Sequence, residues 1–144
     1  MRREVLRSTP SWRRGAPRRD CAYVVDDDSK DGFRGMSVVR VRLFFSFEYN
    51  SVTYPCALVD WFKKMGRAPD DVTGMWIVEP ELDQHGGRLR SVLHLDSFVR
   101  GAHLIPVYGS SVLPINFLHV WSLDTFEAFH VNNFIDYHAN EIIF

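Results

Sequence analysis

From Val39 to Tyr49 the chain alternates. One parity reads Val39, Val41, Leu43, Phe45, Phe47 and Tyr49; the other reads Arg40, Arg42, Phe44, Ser46 and Glu48. A period of two over this length predicts a half-buried strand with the first set turned to the core. A helix would spread those residues around its circumference. Asn50 tolerates the positive φ that a tight turn needs, so Tyr49-Asn50-Ser51 predicts a hairpin. Val52 to Phe62 then returns as a second strand, apolar on both faces, with Tyr54, Cys56 and Leu58 alternating with Val52, Ala57, Val59 and Trp61. Pro55 lacks a ladder donor and belongs at an edge or a bulge.

Shorter patterns follow. After a polar loop over 63–74, Met75 to Val78 predicts a third strand stopped by Pro80. Asp83 to Gly87 predicts a turn, Leu89 to Leu95 a fourth strand, and Asp96 to Val99 one helical turn or a bend. His103 to Tyr108 predicts a fifth strand interrupted at Pro106. Near the end the period changes. Ser122 is a good N-cap, and Leu123, Phe126, Phe129, Val131, Phe134, Ile135, His138 and Ile142 recur at mostly helical spacings, which predicts one or two short helices packed on the sheet. Residues 1–35 read as an irregular basic arm followed by an acidic loop, with Cys21–Val25 as an edge strand. Residues 36–144 read as one β-rich domain. The expected fold is mainly β (α+β): a small antiparallel barrel or strongly bent sheet with short C-terminal helices.

Composition supports a buried core. The 144 residues are 46% hydrophobic and 14% aromatic, enough for one domain. Cys21 and Cys56 are too few for a disulfide framework or a four-cysteine zinc site, and they fit a reducing, intracellular compartment. No run of 18 apolar residues occurs, so no helical membrane span is expected. Charge is uneven. Residues 1–20 carry seven Arg against Glu4 and Asp20, whereas residues 21–144 carry ten Lys or Arg against sixteen acids. Arg13, Arg14, Arg18 and Arg19 are therefore the candidate nucleic-acid contacts, by neutralising phosphate, against the alternative of a solvated tail.

Candidate chemistry is sparse. His94 and Asp96 lie two apart on a predicted strand with His103 nearby, a set that suits iron or zinc; the simpler role for Asp96 and Ser97 is to cap the following turn. The acidic stretch Asp26 to Gly32 lacks the closing Glu of an EF-hand, so calcium is not expected. Cys56, amid apolar neighbours, reads as an inert thiol. No Gly-x-Ser-x-Gly elbow and no phosphate-cradling Gly-Lys-Ser/Thr run is present. The expectation is a chain without enzymatic activity and without a metal or other cofactor. Tyr54, Trp61, Trp76 and Tyr108 lie on or beside predicted strands. There they serve as core, or as an aromatic surface for a methylated lysine or for bases.

Ordered blocks along the chain carry a resemblance. They include Trp12-Arg13-Arg14, Arg18-Arg19-Asp20-Cys21, Gly35 to Val41, Leu43 to Phe47, Tyr54 to Phe62, Thr73 to Val78 and His94-Leu95-Asp96. Further on come Arg100 to Gly109, Ser122-Leu123-Asp124 and Ile135-Asp136-Tyr137-His138. From about residue 12 to the end, the sequence resembles the C-terminal region of Plavaka and Kyakuja-Dileera-Zisupton type transposase-like proteins of mushroom-forming fungi. The resemblance implies a mobile-element origin and a nuclear destination, with a cytoplasmic one as the alternative. It implies contacts with DNA, chromatin or the catalytic core of a transposase. It brings no catalytic residue, because the acids that hold Mg²⁺ in such enzymes lie on an RNase H-like core upstream of the matched region. The expectation is an accessory interaction module, and a fragment, decayed copy or truncated gene model of a longer protein.

Overall fold

The computed structural model describes residues 5–9, 18–27, 29–30, 32–107 and 128–132. Among them run the strands β1 (Ser8–Thr9), β2 (Arg18–Arg19), β3 (Cys21–Val25), β4 (Met36–Tyr49), β5 (Val52–Met65), β6 (Ile77–Pro80), β7 (Arg90–His94), β8 (Phe98–Ala102), β9 (Leu104–Pro106) and β10 (Phe129–Val131). Short 3₁₀ turns precede β4 at Gly32–Gly35 and join β7 to β8 at Leu95–Ser97. All strand pairs are antiparallel. The main sheet has eight strands in the order β8-β3-β4-β5-β6-β10-β9, with β7 pairing the middle of β5. Its two ends, β8 and β9, are separated in the chain by His103 alone, so the sheet is nearly closed and barrel-like.

The predicted hairpin dominates this sheet. Asn50 and Ser51 have φ of 49° and 63°, the conformation of a two-residue turn whose twist matches that of its flanking strands. Tyr49 pairs with Val52, and the ladder continues to Val39 opposite Trp61. Pro55 pairs with Ser46 in β4, one residue short of the point where β7 begins on its other side, so its missing N–H breaks no described ladder.

Strands β3, β4 and β5 form a wall with a core on each face. One core contains Tyr23, Phe33, Val38, Phe62, Trp76, Val78, Phe129 and Val131. The other contains Ala22, Val24, Val39, Val41, Ala57 and Val59, with Phe44, Trp61, Leu93 and Phe98 packed against it. This arrangement explains why β5 reads as apolar on both faces.

Four expectations change. Cys21–Val25 is interior: it pairs with β4 on one side and β8 on the other. Its residues feed both cores, which an edge strand facing water does not do. Asp96 and Ser97 lie in a helical turn as expected, but Phe98 and Val99 leave it to begin β8, because Phe98 and the following residues cover that edge of β3. Phe129–Val131 is a strand and not part of a helix. Phe129 and Val131 are fully buried and alternate with His130, while β10 fills the gap between β6 and β9; tertiary pairing overrides the local spacing. The rest of the predicted helical stretch lies outside the described residues. The fourth change is in β4. Val41 pairs with Val59 but Leu43 pairs with Leu58, which leaves Arg42 as an extra residue in a bulge. Paired residues share a face, so the bulge reverses the parity of the strand. Val39 and Val41 turn to one core, while Leu43, Phe45, Phe47 and Tyr49 emerge on the opposite face.

Candidate functional site

Beyond the bulge the hairpin outruns its neighbours. β3 pairs with β4 no further than Arg40, and β7 pairs with β5 no nearer the tip than Cys56. Among the described residues, Ser46–Tyr49 and Val52–Pro55 have only each other as strand partners. The parity reversal places Leu43, Leu58 and Val92 in one row of the same face, then Phe45, Cys56 and His94, then Phe47 with Tyr54, then Tyr49 with Val52. Leu43 is 52% exposed, Phe47 49%, Tyr49 64% and Val92 54%, so this is an apolar ledge open to solvent. The Phe47 and Tyr54 rings stack with centroids 5.3 Å apart, and Tyr54 meets the edge of the His94 ring at 6.4 Å.

A charged row bounds the ledge. Cys21, Arg40, Asp60 and Arg90 stand in register across β3, β4, β5 and β7. Asp60 is fully buried. Arg42 Nε donates to its Oδ2 at 2.5 Å and Arg90 Nε to its Oδ1 at 2.6 Å. Burial pushes the Asp60 carboxyl up, but the hydrogen bonds from Arg90 and Arg42 outweigh it and hold the group below the usual carboxylate range. Arg42 follows Arg40 by two residues and shares the Asp60 face by ordinary alternation, and the bulge brings Leu43 onto that face beside it. On the same face beyond the row lies the core built around Tyr23 and Phe62. The order from core to tip is thus apolar, charged, apolar.

Of the four aromatic residues singled out in the sequence, the three described, Tyr54, Trp61 and Trp76, do not share a surface. Tyr54 belongs to the ledge. Trp61 lies on the other face of β5, where its Nε1 donates to Ser91 Oγ at 3.0 Å. Trp76 is core, tilted against Phe33 with centroids 5.5 Å apart. Lys64 Nζ already sits 4.9 Å from the centre of the Phe33 ring and Arg34 lies over Trp76, so the chain's own cations occupy these rings. Tyr108, Arg13 and Arg14 lie outside the described residues. Arg18 is bound by Asp20, its Nε 2.8 Å from Oδ1, and Arg19 Nη1 donates to the Arg18 carbonyl at 3.4 Å.

His94, not Asp96 or Ser97, caps the turn after β7: its Nδ1 accepts the Asp96 N–H at 3.0 Å. An imidazole nitrogen reaches the first free N–H of the turn from the preceding residue, a role that Asp96 cannot fill for itself. His103 stands apart, with Nδ1 3.2 Å from Asn132 Nδ2. Among the described residues no three of His, Cys, Asp and Glu gather in one place. Cys21 is buried, which pushes its thiol up to about 12 and leaves it protonated at neutral pH. No helix among the described residues is long and apolar enough to cross a membrane.

Two features of the site escaped sequence reasoning. Asp60 gave a signal, being a lone acid in an apolar strand opposite a strand bearing Arg40 and Arg42. The bulge gave none within β4 itself. In comparisons with known proteins, no family model, no curated protein and no solved structure matches this chain.

Proposed function

We propose that this chain is a non-catalytic interaction module, the accessory tail of a transposase-like protein of mushroom-forming fungi, acting in the nucleus. The observation that carries the interaction role is the ledge. A strand that could turn its apolar row toward a core instead presents Leu43, Phe47 and Tyr49 to solvent. Exposed contiguous apolar surface on a rigid hairpin is a mark of protein contact. The ordered blocks that resemble transposase tails support the origin, and the absence of catalytic motifs in those blocks supports the accessory role.

A photo-reactive phenylalanine analogue in place of Tyr49 tests the reading in cells that make the chain. Protein adducts are expected at position 49 and not at Val72, which is 91% exposed in the turn that follows β5. Equal yields at the two positions, or none at either, would overturn it.

A further inference from the structure

We infer that the ledge receives an extended apolar peptide segment bearing one carboxylate, and that Arg42 and Arg90 together bind that carboxylate. This rests on the reading of the ledge as the contact surface. Its motive is the way the charged row is built. Arg42 and Arg90 each reach Asp60 through Nε, at 2.5 and 2.6 Å. Among the described residues, the terminal Nη groups of both have no acceptor, and both side chains remain partly exposed. Two guanidinium groups are thus held on one fully buried carboxylate, a trio with a net charge of one positive unit, with the buried Arg40 opposite Asp60 adding a further positive charge to the row. Asp60 fixes them in place, which lowers the entropy cost of engaging a second carboxylate in the paired geometry that guanidinium favours.

The surroundings select the ligand. Leu43, Leu58 and Val92 lie on the same face, Leu58 and Val92 each two residues along from Asp60 and Arg90, so an apolar side chain can rest beside the arginines while its neighbour's carboxylate meets them. Further toward the tip come Phe45, Phe47, Tyr54, Tyr49 and Val52, with no Lys or Arg on this face. A nucleic acid would need cations along the whole track of its backbone, and here they stand only at one end. A single acid at the start of an apolar run matches the charge and the apolar surface together.

The test uses the full chain and the probe acetyl-Ala-Glu-Leu-Phe-Val-Ala-Cys-amide, carrying an uncharged BODIPY dye on its Cys sulfur and read by fluorescence anisotropy beside its Gln-for-Glu twin. The Glu probe is expected to bind at least about tenfold tighter than its twin, the order expected for a charge-assisted pair. Arg90→Gln should abolish that preference, and Phe47→Ser should weaken both probes alike. Circular dichroism checks that each variant folds, and the comparison of the two probes on the wild-type chain decides the matter even where a variant does not. Equal binding of the twins with a loss in Phe47→Ser would overturn the carboxylate site and leave the interaction surface standing. Binding of neither probe would overturn the inference, and the cross-linking at position 49 then reports separately on the surface. Displacement of the Glu probe by a duplex DNA oligonucleotide at equal concentration would also overturn it.

Discussion

Arg42 has no partner in the β4–β5 register, and its Nε stands 2.5 Å from Oδ2 of Asp60 on the neighbouring strand. The first follows from a mismatch of register along the hairpin. The turn at Asn50-Ser51 sets Tyr49 opposite Val52, while the core sets Val41 opposite Val59, and the two registers differ by one residue. A bulge absorbs the difference. Arg42 keeps the face of Arg40, where β5 buries Asp60, and the bulge sets Leu43 on that same face directly after it. The reversal of parity therefore starts the exposed ledge beside the ion pair.

Asp60 is expected to be the most sensitive polar position of the described fold. Removing one member of a buried ion pair strands the charges that remain, at a cost of about 3–5 kcal/mol. Asp60→Ala should lower the unfolding free energy by that order, measured by urea denaturation. A loss under about 1 kcal/mol, the scale of an exposed pair, would mean that water already solvates the arginines.

Acid should act through the same group. The folded pKa of Asp60 is depressed relative to an unfolded value of about 3.9. Its contribution is therefore present above the unfolded pKa and is lost as pH falls through the folded one. Thermal midpoints followed from neutral pH downward should fall more steeply below about pH 4 in the wild type than in Asp60→Asn. Parallel curves would assign the acid loss to other carboxylates, such as Asp27 and Asp70, which hydrogen bonds from Ser29 and Thr73 also hold low.

The hairpin was legible because two local signals agree: eleven alternating positions and a turn residue suited to positive φ. The bulge was hidden because the alternation of Val39, Val41, Leu43 and Phe45 runs through Arg42 unbroken. Only the pairing of both strand ends reveals that the apolar set serves two faces. β8 was hidden for another reason: Phe98-Val99-Arg100-Gly101-Ala102 is short, charged and glycine-bearing, and it becomes a strand by covering β3. Phe129 and Val131 likewise owe their conformation to β6 and β9, which lie far away in sequence. The ledge follows from the hidden bulge, so the sequence showed its residues but not their exposure.

Ser51 is the strained point of the turn. It holds φ of 63° with a Cβ, at a cost of about 1 kcal/mol that glycine avoids. Ser51→Gly completes the Asn-Gly pair favoured in such turns and should stabilise the chain by about that amount. The denaturant midpoint should rise in Ser51→Gly and not in Ser51→Ala. A gain in both would place the effect in the loss of the Ser51 hydroxyl, which the two variants share, and not in the positive φ.

Cys21 offers a direct check on the interior position of β3. Burial pushes its thiol up to about 12, and the nearby Arg40 and Arg88 only partly offset this. Alkylation requires the thiolate, so two barriers coincide: the site is closed and the thiol is protonated. In Cys56→Ala, which leaves Cys21 as the single thiol, iodoacetamide at pH 8 should label the folded chain only as fast as the sheet opens. Labelling should become rapid in denaturant. Rapid labelling of the folded chain would mean that β3 is exposed, and the wall shared by the two cores would then be wrong.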